Sequence, residues 1–239
     1  VVSIEPAIIN KETPHDAETD IGTLTVVSEG NDEIRDVKLI TVGEQLFQNC
    51  PECELTIYPT EFGLMPAGTS QTVSIKIKVP AGQAPGNYWT VIRANTSNAG
   101  YADSLLNLTV PLNASWIVEP KDLGTKILPP NTRGNLTLIN VTNIGNVKIS
   151  FTVLYGGNFS TYVKVYPEGS PETKSFDLEK LMSRTIVVNY SIPETAPQGI
   201  YDLYINIRNN TLAYPGEVTI KGIINLTDIP PTIEEISIV

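Results

Sequence analysis

Cys50 and Cys53 stand in the stretch Gln48-Asn49-Cys50-Pro51-Glu52-Cys53 and are the only two thiols in the chain. Three chemistries use such a pair. A dithiol redox site needs a helix opening at the first cysteine, whose N-terminal N–H groups lower the thiol pKa. Here the residues that follow, Glu54-Leu55-Thr56-Ile57-Tyr58, read as a strand. A structural zinc site needs a second ligand pair, and the one other candidate ligand of that kind is His15. The remaining expectation is a local disulfide pinning a loop, as suits an extracellular chain. Closing so short a loop contributes about 1–2 kcal/mol on the chain-entropy account.

The rest of the catalytic inventory is thin. His15 is the single histidine, so a His-based triad has nothing to build on. No phosphate-cradling glycine loop and no His-Glu-x-x-His stretch occurs. Acidic groups cluster at Asp16, Glu18 and Asp20, and again at Asp32 and Glu33, on expected loops. Loop carboxylates can bind Ca²⁺, but a solvated acidic turn is the main expectation and no cofactor is called for. The chain reads as non-enzymatic.

Modification chemistry is better represented. Asn-x-Ser/Thr occurs nine times, at Asn95, Asn107, Asn113, Asn135, Asn140, Asn158, Asn189, Asn209 and Asn225. That is well above what composition alone supplies, and it points to N-glycosylation of an extracellular protein. Asn107, Asn135 and Asn189 fall on the polar faces of expected strands, so glycans there would coat a sheet.

The elements that carry these residues alternate with period two. Val73, Ile75, Ile77 and Val79 share one face; Ser74, Lys76 and Lys78 share the other. Leu106, Leu108 and Val110 repeat the pattern, as do Ile186, Val188, Tyr190 and Ile192. Such strands bury one face and wet the other. Pro, Gly, Asn and Asp clusters separate them about every ten residues. Only 43–49 and 176–182 read as helix-like, and neither could form a layer. This is the pattern of an all-β sandwich. The net charge of −10 excludes a nucleic-acid partner, whose phosphates demand a basic face. No run of about 18 apolar residues exists to span a membrane. With Val at position 1, the chain is expected to be processed or a piece of a longer one.

The pattern occurs twice. Val118-Glu119-Pro120 echoes Ile4-Glu5-Pro6; Gly134-Asn135-Leu136-Thr137 echoes Gly22-Thr23-Leu24-Thr25; Val165-Tyr166-Pro167 echoes Ile57-Tyr58-Pro59. Val79-Pro80 leads to Gly86-Asn87-Tyr88, and Ile192-Pro193 to Gly199-Ile200-Tyr201. A duplicated domain follows: two tandem immunoglobulin-like β-sandwich domains over 1–113 and 114–229. Residues 230–239, with their Pro-Pro step, read as a linker and the strand of a following module, or a strand donated to a neighbour. Tyr88 and Tyr201 sit where the tyrosine corner of such sandwiches holds the fold.

These residues resemble the cell-adhesion-related (CARDB-like) sandwich modules of archaeal S-layer-type surface proteins. Leu64-Met65-Pro66-Ala67-Gly68 fits the resemblance in the first repeat, while Leu181-Met182-Ser183-Arg184 departs from it in the second. The resemblance implies an extracellular, non-catalytic spacer or assembly module.

Aligning Tyr88 with Tyr201 turns Trp89 and Val91 outward in the first copy, where the second has Asp202 and Tyr204. Exposed aromatic and β-branched residues on a sheet face mark contact surfaces, so Trp89 and Val91 are expected at an interface. Trp116, at the domain junction, is expected to pack between domains. The reading is a structural or interaction module of a glycosylated cell-surface protein in a surface layer, filament or adhesin. Its partners would be further copies or other surface-protein domains. The alternative is a non-catalytic accessory or carbohydrate-binding module of a secreted enzyme, with Trp89, Tyr58 and Tyr166 as aromatic platforms.

Overall fold

The computed structural model describes residues 1–43 and 45–228, so the expectation for 230–239 lies outside the described residues. The chain divides after Asn113 into two compact units, each an immunoglobulin-like sandwich of two sheets. The first contains β1 (Val2–Glu5), β2 (Ile8–Glu12), β3 (Ala17–Ser28), β4 (Ile34–Val42), α1 (Gln45–Asn49), β5 (Glu54–Tyr58), β6 (Glu61–Met65), β7 (Ser70–Val79), β8 (Gly86–Asn95) and β9 (Tyr101–Val110). Its sheets run β1-β3-β7-β5 and β2-β9-β8-β4-β6.

The second contains β10 (Trp116–Glu119), β11 (Asp122–Leu128), β12 (Thr132–Asn143), β13 (Ile149–Gly156), β14 (Val163–Pro167), β15 (Ser175–Leu178), β16 (Ser183–Ile192), β17 (Gly199–Asn209) and β18 (Glu217–Leu226). The orders β10-β12-β16-β14 and β11-β18-β17-β13-β15 reproduce the first unit strand for strand. In both, the opening strand breaks at a proline, Pro6 or Pro120, which cannot donate to a ladder. The chain then crosses to the other sheet, where β2 runs parallel to β9 and β11 parallel to β18.

Alternation along each strand builds two separate cores. In β7, Val73, Ile75, Ile77 and Val79 are buried while the intervening residues face water. Each such side chain contributes about 1.5–3 kcal/mol by leaving water. In the second unit Trp116, Phe151 and Phe159 are fully buried. β7 and β16 end at Val79 and Ile192, each immediately before a proline, and β8 and β17 begin at the paired glycines. The Tyr88 hydroxyl donates to the Ala84 carbonyl at 2.7 Å, and Tyr201 to Pro197 at 2.6 Å. Both bonds reach four residues upstream, so the two tyrosine corners are the same device.

Three sequence expectations need correction. Trp116, expected to pack between domains, belongs to the core of the second sandwich: it is 2% exposed, sets its ring edge-on to Phe151 at 4.9 Å and donates its indole N–H to the Pro215 carbonyl. Its strand alternates buried and exposed, with Val118 on the same inward face. The 176–182 stretch is not helical. Phe176 lies opposite Phe151 in the β13–β15 ladder and stacks on it at 5.2 Å, after which Leu181 turns the chain with φ +61°. Glu18 and Asp20 lie on the wet face of β3, not on a loop. Among the described residues no group of three acidic, His or Cys side chains could hold a metal.

Candidate functional site

The outer face of the β2-β9-β8-β4-β6 sheet carries the most distinctive surface of the first sandwich. In β8, Tyr88, Thr90, Ile92 and Ala94 point into the core, which turns Trp89, Val91 and Arg93 outward. Register places Val91 beside Leu105 on one side and Val42 on the other, with Ile8 beyond Leu105. Ile8, Leu105, Val91 and Val42 thus form one apolar row across four strands. Ile8 is exposed and the other three are half-buried.

Trp89 borders this row and is 43% exposed. Its ring lies on Gly43, where a Cβ would sit 3.0 Å from the indole, and Gly43 adopts φ +86°. Only glycine meets both conditions at low cost. The Trp89 N–H donates to Gln45 Oε1 at 2.7 Å, tying β8 to α1.

Below the row, Arg93 donates twice to Asp103, at 2.7 and 2.8 Å, and lies 3.7 Å over the Tyr101 ring. The guanidinium hydrogen bond holds the Asp103 carboxyl below the usual aspartate range, outweighing the upward push of partial burial. A carboxyl depressed in the folded state contributes stability above the unfolded value of about 3.9 and loses it as pH falls through the folded value. In an NMR carboxyl titration, Asp103 is expected to titrate below the ordinary aspartate value. In Arg93→Gln it is expected to move upward, toward that value.

The second sandwich differs at the equivalent positions. Asp202 stands for Trp89 and Tyr204 for Val91, and Lys221 lies across from Tyr204. The duplicated frame therefore presents an apolar row in one copy and Asp122, Lys221, Tyr204 and Gly156 at the same positions in the other.

The remaining candidates are dispersed. Cys50 and Cys53 form a disulfide with Cα atoms 5.3 Å apart, closing the loop between α1 and β5. The helix ends before Cys50, so no helix N-terminus acts on either sulfur. His15 is buried, with Nδ1 accepting from the Gly82 N–H at 3.2 Å and Nε2 3.0 Å from the Asn113 amide. Tyr58 and Trp89 lie on opposite sheets of the first sandwich, and Tyr166 lies on β14 of the second, accepting from the Asn189 amide at 2.9 Å. Tyr58 and Trp89 therefore do not share one sugar platform.

Of the nine sequons, Asn95, Asn135, Asn140 and Asn158 are exposed. Asn107, Asn113, Asn189 and Asn225 are half-buried, and the Asn107 amide donates to Asn10 Oδ1 at 3.0 Å. Asn209 is removed from the set. It is 7% exposed, and its amide nitrogen donates to the carbonyls of Ala213, Pro215 and Gly216 at 2.9, 2.7 and 3.0 Å. A nitrogen so enclosed has no room for a sugar. Asn143 does similar work, donating to the carbonyls of Val147, Leu178 and Glu179. Sequence reading passed over both roles; the signal was a side-chain oxygen capping the backbone two residues on, at Gly145 and Thr211.

No protein-family model matches the chain, and no curated protein matches it in sequence. Solved structures align with it at low similarity. A protein of unknown function from Porphyromonas gingivalis W83 aligns over 94% of this chain and 99% of its own, at 13% identity and TM-score 0.36. The D00-D0 domain of Intimin aligns over 95% and 100%, at 13% identity and TM-score 0.32. Extracellular cadherin domains 1–4 of protocadherin gamma B7 align over 95% of this chain and 51% of theirs, at 12% identity and TM-score 0.36. Similarity of this size says nothing about partners, and the fold rests on the chain's own strand order. Among the described residues no helix is long and apolar enough to cross a membrane.

Proposed function

We propose that this chain is a non-catalytic structural or interaction module of an extracellular surface protein. Its first sandwich would dock, through the outer face around Trp89, onto further copies or other surface-protein domains. The observation that carries this reading is the apolar row Ile8–Leu105–Val91–Val42 bordered by an exposed tryptophan. A contiguous apolar surface on a sheet face is costly in water unless something covers it. Tryptophan is also among the residues that dominate interface energetics. The duplicate sandwich keeps the frame without the row, so folding alone does not require it. The surface layer, filament or adhesin setting follows the resemblance of the repeats to archaeal surface modules. Glycans are assigned to the exposed sequons Asn95, Asn135, Asn140 and Asn158.

The test is assembly of the Trp89→Ser variant, followed by sedimentation and electron microscopy of native material. The melting temperature is expected to hold while association weakens about thirtyfold, the equivalent of losing a hot spot of about 2 kcal/mol. Unchanged assembly, or loss of folding, would overturn the docking face. Intact mass before and after deglycosylation checks the glycans separately, and an unmodified native mass removes them.

A further inference from the structure

The outer face of the second sandwich carries a groove of about 620 Å³ along β11, β17 and β18. That volume lies within the range of about 300–1,000 Å³ usual for small-molecule sites. Backbone shape creates it. The β11–β18 ladder shifts register between Asp122 and Gly124, and Gly222 admits Leu123, whose Cβ would lie 2.9 Å from any Cβ placed there. Strand β11 is thereby drawn inward at this point, and the groove opens beside it. On the far side, the Tyr204 ring packs against Gly156 of β13, where any Cβ would collide with it, yet the residue stays 41% exposed.

The polar groups lining this groove are poorly matched by the protein itself. Asn206 Oδ1 is enclosed and accepts no hydrogen bond. Lys221 has no ion-pair partner among the described residues, although Asp122 and Asp202 line the same groove. Asp202, in β17, is held by the segment after β13: its Oδ1 accepts from the Asn158 N–H at 3.1 Å, while its own N–H donates to Asn158 Oδ1 at 2.6 Å. An unpaired acceptor is costly, but this oxygen is closed to the groove as well, so the polar groups the groove offers are the Asp202 carboxylate and the Lys221 ammonium.

We propose that this groove binds a neutral saccharide, with the sugar ring on Tyr204 and its hydroxyls on Asp202 and Lys221. Sugar hydroxyls donate and accept at once. They suit a site holding carboxylate acceptors beside an ammonium donor. The apolar C–H face of a pyranose suits an aromatic ring fixed at its back. Two carboxylates against one lysine give the groove a negative balance, which disfavours uronate or sulfated glycans. The proposal is independent of the docking face, which lies on the other sandwich.

The experiment is a titration of the full chain with cellobiose, maltose and N,N′-diacetylchitobiose at millimolar concentration, followed by backbone amide NMR. At least one disaccharide is expected to shift amides of β17 and β18 and leave β8 and β9 unmoved. Tyr204→Ala and Lys221→Gln are each expected to weaken that binding about tenfold, the loss of one charged hydrogen bond or stacking contact. Lys221 is exposed and makes no ion pair, so Lys221→Gln is expected to keep the wild-type melting temperature and guards against a folding artefact. No shifts with any of the three sugars, binding unchanged in both variants, or preference for a sulfated disaccharide would each overturn the proposal.

Discussion

Replacing Trp116 with alanine is expected to lower the stability of the second sandwich by about 3–5 kcal/mol, the usual cost of truncating a large buried aromatic. The side chain is 2% exposed, fills the space against Phe151, and satisfies the Pro215 carbonyl through its indole N–H. Alanine would leave a cavity and remove one donor from that carbonyl. A domain holds about 5–15 kcal/mol in total, so the variant should be close to unfolding. The first sandwich has its own core and should be untouched. Hydrogen exchange resolved by residue makes the distinction: protection should fall from β12 to β18 and hold from β3 to β9. An equal loss in both domains would return Trp116 to the junction role that its place in the chain first suggests.

The second large effect is expected at Asn209. Asn209→Ala should cost about 3 kcal/mol, because three carbonyls lose a donor and the Thr211 and Ala213 N–H groups lose their acceptor. Thr211→Ala destroys the same sequon without touching that network. Thr211 is exposed, and a surface change of this kind stays within about 0.5 kcal/mol. Urea denaturation of the two variants separates a structural asparagine from a glycan anchor. If Thr211→Ala lowers the mass of native protein by a glycan, the structural assignment fails.

Much of the frame was legible in the sequence because period-two burial writes itself directly into residue order. Val73–Val79 is read correctly residue by residue, and the twin Pro…Gly-x-Tyr stretches give both corners and the register between the copies. That register made Trp89 conspicuous against Asp202. The misreadings have particular causes. Trp116 was judged by its position between domains, although Val118 two residues on already placed it on an inward face. The 176–182 stretch carries apolar residues at helical spacing, but a four-residue strand is too short to declare its own period, and stacking on Phe151 decided it. The three-residue sequon pattern says nothing of whether an amide is already spent on neighbouring carbonyls, so Asn209 could not be told from Asn135. The groove was invisible for another reason: it arises from a register shift at Gly124 and a missing side chain at Gly222, and neither alters hydrophobic pattern.

The parallel pairing of β2 with β9 and of β11 with β18 has a consequence for a protein held at both ends. β9 and β18 are the last strands of their domains, β2 and β11 follow directly on the short opening strands β1 and β10, and each pair lies side by side pointing the same way. Tension drawn through the chain therefore reaches each sandwich as shear along a whole ladder, Ile8–Glu12 against Leu105–Thr109 and Asp122–Leu128 against Lys221–Leu226. Bonds loaded in shear share the load and must give way together. Had the terminal strands been antiparallel neighbours in a hairpin, the same pull would have opened them one rung at a time. Each domain is in this sense a clasp closed along the line of pull.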